Sequence, residues 1–302
     1  RPAEAGHDFC RLRDGNADTS DLFDKGVAML PRFLSASEVA AFLRFYELKE
    51  DDMSGVSGTA ASGVRPLSPG EIDQVTGVRG RLVQLVQRVL NQTGIYVGLV
   101  DSYPCLWVDD CRAKLEPWIH HSFAIHGQFF HTNGSDRDPM FLNWHQDMEM
   151  GFKHPDARNY LNVYVFLEKP FPGTAGLSLV PHDELRRRSP DFHEVIRGTA
   201  SRDFQEVSAA DLARATPRLF PRVRDAMGGS PNLTLMFGLE RDDRFIVNVS
   251  LGEMACTPEV APGDAIVFRG DVIHRTQPHL TRPSWRTSMN LRIFPLTSDL
   301  GA

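Results

Sequence analysis

The sequence predicts a mainly β fold, an antiparallel sandwich or barrel, with helices ahead of it and a helical insertion within it. Three observations carry this. From residue 94 onward, short β-rich runs alternate with Gly, Pro and Asp clusters, the texture of antiparallel sheets. Ahead of that point, two stretches space their apolar residues as helices do. Between the β runs, residues 183–230 are charged, are punctuated by Pro190, Pro217 and Pro221, and read as helical.

Taken in order, residues 1–25 are polar, rich in Asp and Arg, and read as a loosely ordered lead-in. Gly26–Pro31 follows as a short strand stopped by proline. Ser35-Ala36-Ser37-Glu38 has the form of a capping box, in which each side chain satisfies an amide at the other end. It opens a helix with Val39, Phe42, Leu43 and Phe45 on its apolar face. Residues 53–69, dense in Gly, Ser and Pro, read as a loop, either a surface excursion or a lid. A second helix is expected over about Pro69–Leu90, with Ile72, Val75, Leu82, Leu85, Val86 and Val89 as its stripe.

The expected strands are Ile95–Val100, Ser122–Phe130, Met140–His145, Tyr160–Leu167, Ala175–Val180, Leu233–Leu239, Phe245–Leu251, Ala265–Phe268 and Trp285–Phe294. In Asn159–Leu167, aliphatic residues at 161, 163, 165 and 167 alternate with Tyr160, Asn162, Tyr164 and Phe166, so one face packs on an aliphatic layer. Ser208-Ala209-Ala210-Asp211 is a second helix start, inside the insertion. The plan is one domain over 26–302: helices at about 35–92, a β core at about 94–182 and 231–295, and the insertion at about 183–230.

Composition narrows the partners. A chain of 302 residues, 41% hydrophobic, buries a sizeable core, and its net charge of −6 argues against nucleic acid, whose phosphates reward a basic face. No apolar run reaches the roughly 20 residues that cross a bilayer. A small-molecule substrate and a cytoplasmic location are the expectation. Because the sequence begins at Arg1 rather than Met, a targeting peptide stays an open question. Cys10, Cys105, Cys111 and Cys256 show no metal-ligand or disulfide spacing and are expected as free thiols.

The chemistry centres on Asn143-Trp144-His145-Gln146-Asp147. On a strand, His145 and Asp147 point to one face, which makes half a metal site. Gly263–His274 offers a third ligand, His274, at the end of an apolar strand. Two His and a carboxylate suit Fe(II) and leave adjacent positions open. An H-x-D triplet alone is commonplace. The ordered set is not: H-x-D, a β run, Gly173–His182, the strand opened by Pro262-Gly263-Asp264, His274, and then Arg286-Thr287-Ser288.

In that set the chain resembles the phytanoyl-CoA dioxygenase-like branch of the iron(II)/2-oxoglutarate oxygenases. The resemblance spans roughly residues 26–295 and is carried by Asn143–Asp147, Ala175–Pro181 and Phe268–Ser288. It implies a double-stranded β-helix, or cupin-like jelly roll, with Fe(II) held by His145, Asp147 and His274, and with 2-oxoglutarate and O2 as cosubstrates. It also implies oxidation of a substrate C–H bond with release of succinate and carbon dioxide. Arg286 would take the far carboxylate of 2-oxoglutarate through a bidentate fork. Ser288 shares its strand parity, Thr276 shares that of His274, and Gln128 lies on the strand before the H-x-D strand; these three join the cosubstrate set. The chain departs from the family at His182-Asp183-Glu184, where many members carry Gly-Ser-His, and in the long insertion after it.

Rivals exist at each position: His279 for the distal ligand, and Arg282 or Arg292 for Arg286. Arg186-Arg187-Arg188 is either a solvated helix face or a clamp for an anionic substrate. An amino acid or a specialised-metabolite intermediate is the expected substrate, with an acyl-CoA or carrier-bound one as the alternative. Asp147 disfavours the halogenase variant of this chemistry, which has a small residue there. Arg286 disfavours both a metal site without 2-oxoglutarate and a non-catalytic binding module.

Overall fold

A computed structural model describes residues 20–53, 63–85 without 68, 79 and 83, 123–133, 143–147, 161–171, 176–197, 203–215, 232–237, 244–277 without 248, and 285–295. Its strands form two antiparallel six-stranded sheets. The first runs β1 (Val27–Leu30), β10 (Ala265–Arg269), β5 (Leu161–Glu168), β12 (Trp285–Pro295), β3 (Phe123–Asn133), β2 (Gly63–Leu67). The second runs β6 (Leu177–Val180), β11 (Ile273–Thr276), β4 (Trp144–His145), β7 (Asp203–Ser208), β8 (Asn232–Phe237), β9 (Arg244–Val247).

Period-two patterning sorts the side chains into layers. Leu161, Val163, Val165 and Leu167 of β5 join Met289 and Leu291 of β12 on the outer face of the first sheet. There they meet Val39, Phe42 and Tyr46 of helix α2 (Ala36–Met53), and Ile72, Val75, Val78, Leu82 and Leu85. Tyr164 and Phe166 point the other way, into a cluster between the sheets with Phe268, Leu177, Leu179 and Val272. The outer face of the second sheet is covered by helices α4 (His182–Arg188), α5 (Pro190–Ile196) and α7 (Leu251–Met254), through Leu185, Phe192, Ile196, Leu251 and Met254 against Trp144, Phe204 and Ile273.

The capping box forms: Ser35 N–H donates to Glu38 Oε2 at 2.7 Å, and Glu38 N–H to Ser35 Oγ at 3.4 Å. The second start forms as well, since Asp211 N–H donates to Ser208 Oγ at 3.0 Å ahead of α6 (Ala209–Ala215).

Several expectations are corrected. Within the expected lead-in, Ser20–Asp24 is a short helix, α1. The Gly/Ser/Pro segment supplies an edge strand, β2, where Pro66 is tolerated because only one side of an edge strand needs a ladder donor. The second helix is interrupted: α3 covers Pro69–Gln74, Gly77 adopts φ +89°, and helical residues resume at Val78. Most consequential is β7, a strand in the middle of the stretch expected to be a helical insertion. Its sequence, Asp-Phe-Gln-Glu-Val-Ser, fully buries only Phe204 among its described side chains, so hydrophobic alternation is nearly silent. Leu251 begins α7 rather than ending a strand. Cys256 is disulfide-bonded, against the expectation of free thiols; its partner lies outside the described residues, as does the expected strand Ile95–Val100. No helix among the described residues is long and apolar enough to cross a membrane.

Candidate active site

Expected at the end of β10, His274 instead sits on a separate strand in the other sheet. The chain crosses between the sheets at Gly270-Asp271, and Asp271 makes the crossing rigid. Its buried carboxylate accepts from Arg269 at 2.7 Å and meets His182 Nε2 at 2.9 Å. Its backbone carbonyl accepts from Gln146 at 2.8 Å, and Gln146 also donates to the Ile196 carbonyl at 3.1 Å. One buried amide thus ties the H-x-D segment, α5 and the crossing together. Gly26, at φ +73°, lets the chain pass beneath; a Cβ there would strike His182 and Val272. The His182 departure from the family pattern therefore serves this clamp.

The crossing places His274 directly opposite His145, as a cross-strand pair of β11 and β4 with ring centroids 4.4 Å apart. Asp147 Oδ1 lies 3.4 Å from His274 Nε2 and 4.0 Å from His145 Nε2. One ligand atom from each of the three lies within 4.8 Å of the others. Each imidazole has Nδ1 at a backbone carbonyl, His145 at Asn143 (2.8 Å) and His274 at Val272 (3.0 Å). Nδ1–H donation there turns both Nε2 lone pairs toward the gap. Ligands about 2.1 Å from an ion stand about 3 Å apart at right angles. Two imidazole nitrogens and a carboxylate at these separations fit an iron with open positions.

Further along the interior wall, Arg286 is 2% exposed. Its Nη1 donates to the Gly176 carbonyl at 2.6 Å, its Nη2 to Thr276 Oγ1 at 2.9 Å, and its Nε to Tyr164 Oη at 3.1 Å. Ser288 Oγ is 2.6 Å from that same tyrosine oxygen. Arg286, Thr276 and Ser288 are thus brought together. Gln128 pairs in register with Asn290, and only its backbone is described. His279 and Arg282 lie outside the described residues, as does the side chain of Arg292.

Sequence reasoning passed over three contributors here. Tyr164, placed there on the face opposite the aliphatic residues of its strand and given no role, completes the Arg286 cradle, and that aromatic-polar face was the available signal. Gln146 had none beyond its place inside H-x-D. Lys169, just past β5, holds its ammonium 5.1 Å from the Phe166 ring centroid; burial, and then the charge of Arg286, bring its pKa down to about 8. The arginines of the basic run are exposed on α4, and Arg187 and Arg188 both reach back to the buried carboxylate of Glu184, at 2.7 and 2.6 Å.

Comparison with known proteins bears on the whole of this arrangement. The profile of the family described as phytanoyl-CoA dioxygenase (PhyH) matches residues 23–288. The chain belongs to that family. It is an iron(II)- and 2-oxoglutarate-dependent dioxygenase, with O2 as the other cosubstrate. No curated protein matches the chain. Among solved structures, EvdO2 from Micromonospora carbonacea var. aurantiaca is 16% identical, with 94% of this chain and 95% of that one covered and a TM-score of 0.48. A Pseudomonas putida prolyl-4-hydroxylase is 12% identical, with 92% and 96% covered and a TM-score of 0.45. HygX from Streptomyces hygroscopicus, with nickel and 2-oxoglutarate bound, is 15% identical, with 94% and 92% covered and a TM-score of 0.44.

Proposed function

We propose that this dioxygenase holds its iron through His145, Asp147 and His274, anchors 2-oxoglutarate at Arg286, and hydroxylates or otherwise oxidises a small molecule, an amino acid or a specialised-metabolite intermediate. The observation that carries the metal assignment is the cross-strand pairing of His145 with His274, with Asp147 in reach of both. In this reading the two sheets are the halves of a double-stranded β-helix within a single domain over 26–302.

Bound iron, with dioxygen and 2-oxoglutarate, would supply oxidation of a C–H bond with succinate and carbon dioxide as co-products. The chain's own work is positioning. The Asn143 and Val272 carbonyls hold the two imidazoles in one tautomer. Arg286 presents a buried guanidinium whose orientation is fixed by Gly176, Thr276 and Tyr164, so little side-chain entropy is lost when a carboxylate arrives. Ser288 and Thr276 add hydroxyls beside it.

Anaerobic addition of Fe(II) and 2-oxoglutarate should give a coloured chelate, lost with any one ligand changed to alanine. An Asp147→Ala variant with full turnover would sink the assignment of Asp147. For the substrate, 2-oxoglutarate consumption is measured against free amino acids and against acyl-CoA thioesters; stimulation by the thioesters alone overturns the substrate class. A cytoplasmic location belongs to this reading, with one observation against it. A reducing cytosol keeps thiols free, and Cys256 is disulfide-bonded. Alkylation of the protein in fresh lysate, with and without reductant, decides.

A further inference from the structure

We propose that Asn162 and Asn290 form a substrate-reading pair that takes an uncharged hydroxyl or carboxamide group, which rests on the small-molecule reading above. Asn162 is 0% exposed and Asn290 4%, and Asn290 Nδ2 donates to Asn162 Oδ1 at 3.2 Å. That bond leaves one donor, Asn162 Nδ2, and one acceptor, Asn290 Oδ1, both buried and without a hydrogen-bond partner among the described residues. Buried polar atoms are rarely left so without a reason.

Their place supplies one. Asn162 shares strand parity with Tyr164 and Phe166, which point between the sheets, and Asn290 shares it with Ser288 and Arg286. Asn162 is the register partner of Phe268 on β10, and the Phe268 ring centroid is 4.8 Å from that of His274. Asn290 lies four residues along β12 from Arg286, about 13 Å at 3.3 Å per residue. The pair therefore stands on the wall that borders the metal ligands, away from the cosubstrate arginine.

Which group it reads follows from counting donors. Turning both amides over exchanges which residue supplies which atom, yet always leaves one donor and one acceptor. A carboxylate brings only acceptors and an ammonium only donors, so either leaves one amide atom unmet. A hydroxyl or a carboxamide meets both.

The test uses full-length protein loaded anaerobically with Fe(II) and 2-oxoglutarate, titrated with glycerol, acetamide and acetate while the chelate band is followed. Glycerol and acetamide should shift the band, and acetate, the charged isostere of acetamide, should not at equal concentration. In the Asn162→Leu/Asn290→Leu double variant, referenced to its own band, the midpoints for the neutral probes should rise at least tenfold. The metal-free double variant should unfold at or above the wild-type temperature, since its open polar atoms are gone. Four outcomes overturn the proposal: an acetate response equal to that of acetamide, unchanged midpoints in the variant, no wild-type response to either neutral probe, or a lowered unfolding temperature of the metal-free variant. Formation of the band reports on iron and cosubstrate alone, so failure of the pair is distinguishable from failure of the oxygenase reading.

Discussion

Arg286 is a guanidinium removed from water, and it donates to the Gly176 carbonyl, Thr276 Oγ1 and Tyr164 Oη. A charge so placed gains most from an anion that arrives in register with its fork. A charge-assisted contact of this kind contributes roughly 1.5–3 kcal/mol. Arg286→Ala should weaken 2-oxoglutarate binding on the order of 10- to 100-fold at 1.4 kcal/mol per decade, read as the titration midpoint of the chelate band. Arg286→Lys should recover only part, because an ammonium lacks the planar fork. Lys169 yields a second residue-scale prediction. Its pKa falls from 10.5 to about 8 because burial and the Arg286 charge disfavour the ammonium. Between those two values the unfolded chain binds more protons than the folded one, so stability contributed by this residue rises with pH there. Below about pH 8 the charged form is penalised in full. Lys169→Met should therefore stabilise the protein at pH 7, with the gain shrinking as pH rises from 8 toward 10.5. Urea unfolding of both proteins across that range checks the sign.

At the scale of elements, the crossing from β10 to β11 is the piece on which the site depends. Asp271 binds Arg269 and His182 with its carboxylate and Gln146 with its carbonyl, all at a position that is 0% exposed. Removing one member of a buried ion pair strands the other charge, at about 3–5 kcal/mol. Asp271→Ala should lose about that much in urea unfolding and should also loosen His274, seen as a weaker Fe(II) midpoint. A variant that loses stability while keeping wild-type metal affinity would show that the crossing does not position the ligand. The helix start at Ser35 is a milder case: Ser35→Ala should cost about 1 kcal/mol, because Glu38 replaces only part of the cap.

For the molecule as a whole, the proposed metal site exists only when the strands of the second sheet are assembled, since His145 and His274 are cross-strand partners 129 positions apart. Ligands that bind only the folded state stabilise it by about 2.7 kcal/mol at a hundredfold excess over Kd. Adding Fe(II) and 2-oxoglutarate under anaerobic conditions should raise the unfolding temperature of the wild type by several degrees. The rise should be absent from Asp147→Ala. An equal rise in that variant would place the metal elsewhere.

Local periodicity and side-chain chemistry were readable from the residues alone. The capping box at Ser35, the two-faced β5, the shared parity of Arg286 and Ser288, and the H-x-D motif are all read within a few residues of one another. Each was legible because the physics that fixes it is equally short-ranged. Pairing across long separations was not readable in this way. β7 was invisible because a central strand with one fully buried residue among its described side chains owes its place to neighbours on both sides, not to its own pattern. The switch of sheets at Asp271, which puts His274 opposite His145, follows from a clamp whose members come from residues 146, 182, 269 and 271. The Arg286 cradle likewise needs Tyr164, Gly176 and Thr276 from three other strands or their edges. Donors and acceptors that distant meet only after the sheets have closed, so no window of the sequence contains the reason they meet.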